Sequence, residues 1–340
     1  MLHRMKYLML VAALFAVSFA YAHPYISRVW EFCPAPGQFI NTMPEYEEGD
    51  DADMMRSKAE ELLAEDAKGM ISLGGWGGYI VFGFDHMIVD VAGARDFIVL
   101  GNAFYDQQGH TLDARPGGSC EPGIVLVSYD ANGNGVPDDE WYELAGSEYT
   151  NPNTIHDYSI TYTRPENEKG AIPWQDNKGN SGVITHLDAY HPQAYYPKWI
   201  ESETMQFTGA RLPDNYVDEL GNGFLYVLYS YPYGYADNHP NTNTEAQLDI
   251  AWAVKADGQP ANLPGIHFVK VYNGMNQQCG WLGETSTEII GAEDLHPDAP
   301  TGIERIQHSV FSIQKILRNG QLYILRGNQT YTITGTIINN

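Results

Sequence analysis

Short runs of apolar and aromatic residues recur along most of this chain, and residues that favour turns separate them. The runs begin with 77–91, 96–104 and 123–130 and continue to residue 272, with Gly, Pro, Asn and Asp between them. The 23 tyrosines, 34 glycines and 19 prolines also favour strands and turns over helices. We therefore expect an all-β fold, and more specifically a jelly-roll-like β-sandwich.

One segment departs from this pattern and predicts a single N-terminal helix. Residues 45–68 read EYEEGDDADMMRSKAEELLAEDAK, in which Asp51 or Asp53 can cap the first turn. The expected apolar face of this helix is patchy and consists of Met54, Ala59, Leu62 and Leu63. Such a face is more typical of a packed structural helix than of a partner-binding one.

Residues 1–22 have the features of a secretory signal peptide. A short basic start precedes an apolar stretch from Tyr7 to Ala20, which is too short to span a bilayer. Ala20-Tyr21-Ala22 fits the small-x-small cleavage rule, so the mature chain is expected to begin at His23. No cysteine follows the apolar stretch directly, which favours soluble export over lipid anchoring, and no later run is long enough for a membrane span.

The mature chain is predicted to contain a ligand-binding β-sandwich over residues 23–300, followed by a linker and a small module over residues 301–340. Proline and glycine interrupt the pattern near 293–305. The last 30 residues read as short strands joined by tight turns at Asn319-Gly320 and Gly327-Asn328. Unlike the rest of the chain, this tail has a local excess of positive charge.

The charge and cysteine content limit the classes of partner. With 43 acidic and 19 basic residues, the net charge of −24 disfavours nucleic acids and anionic membrane surfaces. An acidic exported protein is, in contrast, a natural host for calcium. Cys33, Cys120 and Cys279 can form at most one disulfide, and three buried thiols are an equally good interpretation.

The sequence DANGNGVPDDEWYEL at residues 130–144 predicts a calcium-binding loop. Alternating Asp and Asn with Gly135 at the sixth position match the start of a calcium loop, where alternate side chains converge on the ion. The expected ligands are Asp130, Asn132, Asn134, the Val136 carbonyl, and Asp138 or Asp139.

The end of this loop excludes an EF-hand, because Trp141 occupies the twelfth position and Glu140 comes one residue early. Strand-like segments flank it instead, so a shorter calcium loop between strands fits better. Two asparagines in place of aspartates predict a weak affinity, with a Kd of roughly 10⁻⁴ to 10⁻³ M. The alternative is a solvated Asn-Gly hairpin turn.

Two segments rich in aromatic residues are candidate recognition loops: HLDAYHPQAYYPKW at 186–199 and YSYPYGYADNHPN at 229–241. Tyrosine and tryptophan faces stack on sugars and other rings, which makes a ligand cleft plausible. Packing of the rings around proline-kinked edge strands explains the pattern equally well. The candidate ligand-binding residues are Tyr195, Tyr196, Trp199, Tyr231, Tyr233, Tyr235, Asp237 and Asn238.

Signatures of catalysis are scarce. The chain has no G-x-S-x-G or H-E-x-x-H motif, and pairs among its 43 acidic residues are too common to identify an active site. The glycine-rich SLGGWGGYIVFGFDH lacks the lysine of a phosphate-binding loop and instead predicts a close backbone approach. We therefore expect a protein without enzymatic activity.

Several of these motifs together resemble a family of secreted cell-surface proteins of Bacteroidota. SLGGWGGYIVFGFDH, DFIVLGNAF, EPGIVLVSYDANGNGVPDDEWYELAGSEY, GYADN, LDIAWAVKADG and LGETSTEI occur in the order typical of that family, over roughly residues 29–296. The tail from Lys315 resembles the C-terminal sorting domain of type IX secretion. The resemblance implies ligand capture near TonB-dependent outer-membrane receptors, including those of corrinoid uptake.

The sequence therefore predicts an exported, calcium-stabilised cell-surface protein that binds a glycan or a small nutrient such as a corrinoid. A TonB-dependent receptor is the expected protein partner. Two other classes remain open: a glycan-cleaving enzyme with paired carboxylates in an aromatic cleft, and a structural adhesin.

Overall fold

A computed structural model describes residues 23–67 and 69–301, together with the backbone of four strands between residues 313 and 338. The predicted signal peptide at 1–22 lies outside the described residues. Among the residues that are described, none of the helices has the length and apolarity needed to cross a membrane.

The all-β prediction is confirmed, because strands account for 36% of the residues and the described chain has one α-helix. The strands form small antiparallel sheets in a four-bladed, propeller-like arrangement rather than the two facing sheets of a jelly roll. Many strands have only two to four residues, so each pairs with its neighbours over a short length.

The largest sheet, called the central sheet below, has six antiparallel strands. Their spatial order is Arg28–Cys33, Tyr79–Val89, Gly265–Asn273, Gly123–Ser128, Trp141–Leu144 and Ala253–Val254. A four-stranded sheet follows the order Ser181–Ile184, Ile172–Asp176, Ile155–Thr163 and Thr204–Arg211.

Three further sheets, with five, three and two strands, complete the body of the protein. One contains Tyr216–Asp218, Tyr226–Tyr229, Arg115–Ser119, Phe104–Tyr105 and Thr111–Leu112. The other two contain Gln247–Leu248, Phe97–Leu100 and Gly291–Asp294, and Glu288–Ile289 with Ile71–Ser72. Short 3₁₀ helices cover Thr244–Ala246, Ile250–Trp252 and Gly280–Leu282.

The tail forms its own antiparallel sheet from Ile313–Arg318, Gln321–Arg326, Gln329–Thr332 and Ile337–Ile338. Arg318 pairs with Gln321 and Arg326 pairs with Gln329, as expected for strands joined by tight turns. The predicted turn residues at 319–320 and 327–328 lie outside the described residues.

The helix spans Ala52–Leu63 and is therefore shorter than the predicted 45–68. Asp51 caps it by accepting a 2.9 Å hydrogen bond from the Met54 amide. The buried face consists of Met55, Ala59 and Leu63, whereas Met54, which was expected on that face, is 50% exposed. Residues before Asp51 form turns, which explains the later start.

The central sheet separates two hydrophobic cores, as alternation along its strands shows. In Gly123–Ser128, Val125 and Val127 enter the core that also buries the helix, whereas Ile124 and Leu126 belong to the opposite core. The second core is rich in tyrosine and joins the central sheet to the four-stranded sheet. Eight of the described tyrosines are thus buried core residues.

The close backbone approach predicted for the glycine-rich segment is confirmed, although the glycines precede strand Tyr79–Val89 rather than lying within it. A Cβ atom at Gly78 would lie 1.9 Å from the Leu73 carbonyl oxygen, and one at Gly74 would lie 2.0 Å from that of Ala35. Trp76, between them, is 1% exposed. Larger side chains at either glycine would therefore displace backbone.

The cysteines form no disulfide in the described residues. Cys120 and Cys279 are buried thiols, and Cys33 is partly exposed. The structure therefore agrees with the interpretation of the cysteines as small side chains without a disulfide.

Candidate ligand-binding cavity and cation sites

The structure places five of the six predicted ligand-binding rings in the protein core. Tyr195, Tyr196, Trp199, Tyr231 and Tyr235 are at most 9% exposed. The hydroxyl of Tyr195 accepts a 3.1 Å hydrogen bond from the Leu187 amide, so it serves as a partner for the backbone of the fold. These rings therefore present no free face to a ligand, and packing rather than recognition explains the aromatic pattern.

Tyr233 is the exception, because it is partly exposed and its ring lies 5.0 Å from that of Trp252. Asn238 is completely buried and uses its side-chain amide to bridge the backbone N–H and carbonyl of Tyr231. That contact fixes the loop, so Asn238 is also a structural residue here.

A different pair of aromatic residues marks the mouth of a cavity of about 270 Å³. Tyr190 is 61% exposed and Trp281 is 46% exposed, and their ring centroids lie 6.1 Å apart at a tilt of 49°. The 3₁₀ helix Gly280–Leu282 positions Trp281, whose indole N–H donates to the Phe224 carbonyl. Exposed rings held in this way offer stacking surfaces.

Phe39 and His191 also line the cavity, with their rings 4.8 Å apart in an edge-to-face contact. Burial lowers the pKa of His191, so its imidazole is neutral at physiological pH. The aromatic part of the cavity is therefore largely uncharged.

In contrast to the uncharged aromatic part, the inner wall of the cavity is acidic. Glu121, Glu284 and Glu288 line it, and Asp237 contacts the last of these through the Glu288 amide, which donates to Asp237 at 2.9 Å. One carboxylate oxygen from each of Glu121, Asp237 and Glu288 lies within 4.8 Å of the other two. We refer to these three residues as the acidic triad.

The segment Gly101–Ala103 holds Asp237 in place. The amides of Asn102 and Ala103 each donate a 2.8 Å hydrogen bond to one Asp237 oxygen. A Cβ atom at Gly101 would lie 2.3 Å from the same oxygen, so only glycine allows the backbone to pass this close to the carboxylate. Asp237 was predicted as a ligand-binding residue, and the structure places it beside the cavity in the acidic triad.

The acidic wall is electrostatically unusual. Burial raises the pKa of Glu284 to about 8 and that of Glu288 to about 7. Burial and the neighbouring charge of Glu288 also raise the pKa values of Glu121 and Asp237 well above their ordinary range. Such carboxyl groups retain protons near neutral pH unless a cation compensates their charge.

Two buried oxygen atoms of the cavity wall have no hydrogen-bond partner: Gln38 Oε1 and Glu284 Oε2. The other side-chain atoms of these residues are satisfied. Gln38 Nε2 donates to the carbonyls of Leu282 and Glu284, and Glu284 Oε1 accepts from the Gln38 amide. Buried polar atoms normally find partners, so an ordered water or another bound group is the natural complement here.

The predicted calcium loop brings its side chains together in the described structure. Asp130 accepts hydrogen bonds from the amides of Gly133, Asn134 and Gly135. Although burial raises the pKa of Asp130, these bonds outweigh it and lower the pKa. Asn132 and Asn134 converge on the carboxylate of Asp138 at 2.9–3.1 Å.

Two of the expected ligands have other contacts. Asp139 accepts from the Ala131 amide, and the Val136 carbonyl accepts from the Asp138 amide. Asp138 therefore fits the closing position better than Asp139. The Nδ2 groups of Asn132 and Asn134 donate to Asp138, while their Oδ1 atoms accept from the amides of Asn134 and Val136. Carboxylate and amide oxygens are the ligand types that calcium prefers, so both asparagines would have to turn their oxygens towards a bound ion.

We expect calcium to raise the melting temperature through this loop. An ion present at about 100 times Kd stabilises the native state by roughly 2.7 kcal/mol, which corresponds to a few degrees. The Asp130→Ala variant should lose the part of this response that comes from the loop, whereas Asp157→Asn, which changes an exposed acid elsewhere, should keep all of it. Thermal unfolding with chelator, calcium or magnesium measures the effect. An equal rise in melting temperature on adding calcium to Asp130→Ala and Asp157→Asn would contradict the prediction.

The most informative cavity residues were not recognised as functional from the sequence. Glu284 and Glu288 belong to LGETSTEI, which contributed only to the family resemblance. Tyr190 lies in the aromatic segment 186–199 but was not among the candidate residues, and Trp281 lies outside both aromatic segments. The available signal was the pair of acids four residues apart among small hydroxyl residues. Their convergence with Glu121 depends on tertiary structure.

No known protein-family profile matches the chain, and no curated protein matches it at a significant level. The geometry of the cavity and of the cation sites is therefore the basis for a functional assignment.

Proposed function

We propose that this protein is an exported cell-surface binding protein that captures a glycan through the cavity at Tyr190 and Trp281. The observation that carries the proposal is the pair of exposed aromatic rings, one of them held by a hydrogen bond, in a cavity with a wall of carboxylates. Sugars combine apolar ring faces with hydroxyl groups, so they complement stacking surfaces and carboxylate acceptors together. The resemblance to secreted surface proteins supports export, and the calcium loop supports a calcium-stabilised fold.

The size of the cavity selects among the expected ligands. A volume of about 270 Å³ lies below the range usual for sites that enclose drug-sized ligands. It suits one or two sugar rings of a chain better than a corrinoid, which would contact the cavity only through a peripheral group. Delivery of a captured ligand to a TonB-dependent receptor remains part of the proposal.

Replacing Trp281 or Tyr190 with alanine should weaken glycan binding several-fold in each case. Stacking on an aromatic face contributes on the order of 0.5–1.5 kcal/mol beyond the area buried. A glycan array that also contains corrinoids, probed with the purified protein and both variants, measures this. Phe104→Ala is the matched control, because Phe104 is 57% exposed but does not line the cavity.

A glycan-cleaving enzyme is the second candidate, and the acidic wall favours it. Carboxyl groups whose pKa values are about 7 and 8 can act as general acids near neutral pH. Incubating the array's best glycan with the protein and measuring new reducing ends separates the two functions. Binding without new ends supports the proposed function, whereas turnover that is lost in Glu284→Gln would establish the enzyme instead.

A further inference from the structure

We propose that the acidic triad, Glu121, Asp237 and Glu288, binds a divalent cation, with calcium as the best-fitting ion. This site is separate from the loop at 130–139 and does not depend on glycan binding. It lies at the inner wall of the cavity, where the three carboxylates come from distant parts of the chain.

The spacing of the triad suits calcium. Calcium binds oxygen atoms at about 2.3–2.6 Å, so two of its ligands can lie as far apart as roughly 5 Å. The triad oxygens are all within 4.8 Å of one another, which satisfies this limit. Magnesium, with its shorter and stricter octahedral shell, would need a tighter cluster if ligands on opposite sides contacted it directly.

Hydrogen bonds already fix the triad in one arrangement. Ser286 donates to Glu288 at 2.6 Å, Asn102 donates to the other Glu288 oxygen, and Asp237 accepts three backbone amides. Outer contacts of this type orient carboxylates around an ion. A carboxylate oxygen has two acceptor positions, so these bonds leave capacity for coordination.

Two unpartnered oxygen atoms, on residues that line the same cavity, supply an independent indication of a bound group. Gln38 and Glu284 are both 4% exposed, and each has one side-chain oxygen without a partner in the wall that Glu121 and Glu288 share. Both atoms are acceptors if Glu284 is ionised. A cation, with or without its bound water, provides what they lack.

The charge balance of the triad points the same way. None of the interactions that shift the pKa values of Glu121, Asp237 and Glu288 comes from a Lys or Arg side chain. The other close group of acids, Asp90, Asp96 and Asp249, differs because Arg95 contacts Asp249 at 3.3 Å. Buried carboxylates without a compensating cation are costly, and a metal ion removes that cost.

Counting the calcium bound to the purified protein tests the site. After removal of metal and dialysis against millimolar calcium, the wild type should retain about two ions per chain, one in each type of site. Asp130→Ala should retain about one, Glu288→Gln about one, and the double variant none. Glu166→Gln, which removes an exposed carboxylate elsewhere, should match the wild type.

Circular dichroism establishes that each variant is folded, and Glu121→Gln replaces Glu288→Gln if the latter is not. A folded Asp130→Ala protein that binds no calcium would overturn the proposal. The proposal would also fail if Glu288→Gln and Glu121→Gln both retained the calcium count of Glu166→Gln. Loss of one ion in either triad variant, with an intact loop, supports it.

Discussion

Replacing Tyr235 with alanine is expected to destabilise the fold by about 3–5 kcal/mol, as is usual when a large aromatic residue is removed from a core. Tyr235 is 2% exposed, and its ring contacts Tyr231 edge to face with centroids 5.6 Å apart. Its hydroxyl accepts a 3.0 Å hydrogen bond from the Glu148 amide. Truncation would leave a cavity and would remove the partner of the partly buried Glu148 amide.

Urea unfolding of Tyr235→Ala, Tyr235→Phe and Tyr233→Ala tests this interpretation. Tyr235→Phe keeps the ring and loses one hydrogen bond, so it should cost only about 1 kcal/mol. Tyr233→Ala, in the same loop but partly exposed, is expected to have a similarly small effect. Equal stabilities for Tyr235→Ala and Tyr233→Ala would mean that Tyr235 is not a core residue.

Glu143 should make the free energy of unfolding fall as the pH rises. Burial raises the pKa of this glutamate from 4.5 to about 7. Between those values the unfolded chain releases a proton that the folded chain retains, so ionisation favours unfolding. The stabilisation of the folded state is thus complete below the unfolded pKa and is lost progressively as the pH rises through the folded pKa.

The Glu143→Gln variant should remove this part of the pH dependence. Each pKa unit corresponds to about 1.4 kcal/mol, so on going from pH 5 to pH 8 the variant should gain about 2 kcal/mol relative to the wild type. Urea unfolding at constant calcium measures the gain, and Glu166→Gln is the exposed control. A difference between Glu143→Gln and the wild type that stays constant with pH would contradict the prediction.

The sequence predicted the parts of the fold that depend on local patterns. Alternation predicted strands such as Tyr79–Val89 and Gly265–Asn273, and Asp51 was one of the two residues proposed as the helix cap. The glycines around Trp76 were correctly associated with a close backbone approach. Each of these features depends on neighbouring residues, so it can be recognised without knowledge of the tertiary structure.

Features that depend on distant residues were not predicted. The tyrosines at 229–235 have the same sequence pattern whether their rings face solvent or the interior, and burial decided between the two interpretations. The sheet arrangement depends on which short strands pair across long separations, and local periodicity does not encode that choice. Glu121 and Glu288 likewise meet only in the folded chain.

Isothermal titration of the array's best glycan into the wild type and into the double variant Tyr190→Ala/Trp281→Ala tests the central claim most directly. We expect saturable binding to the wild type and a Kd at least about 10-fold higher for the double variant, which should remain as stable as the wild type within about 1 kcal/mol. Phe104→Ala should bind like the wild type. Unchanged affinity in a folded double variant would contradict the assignment of this cavity as the ligand-binding site.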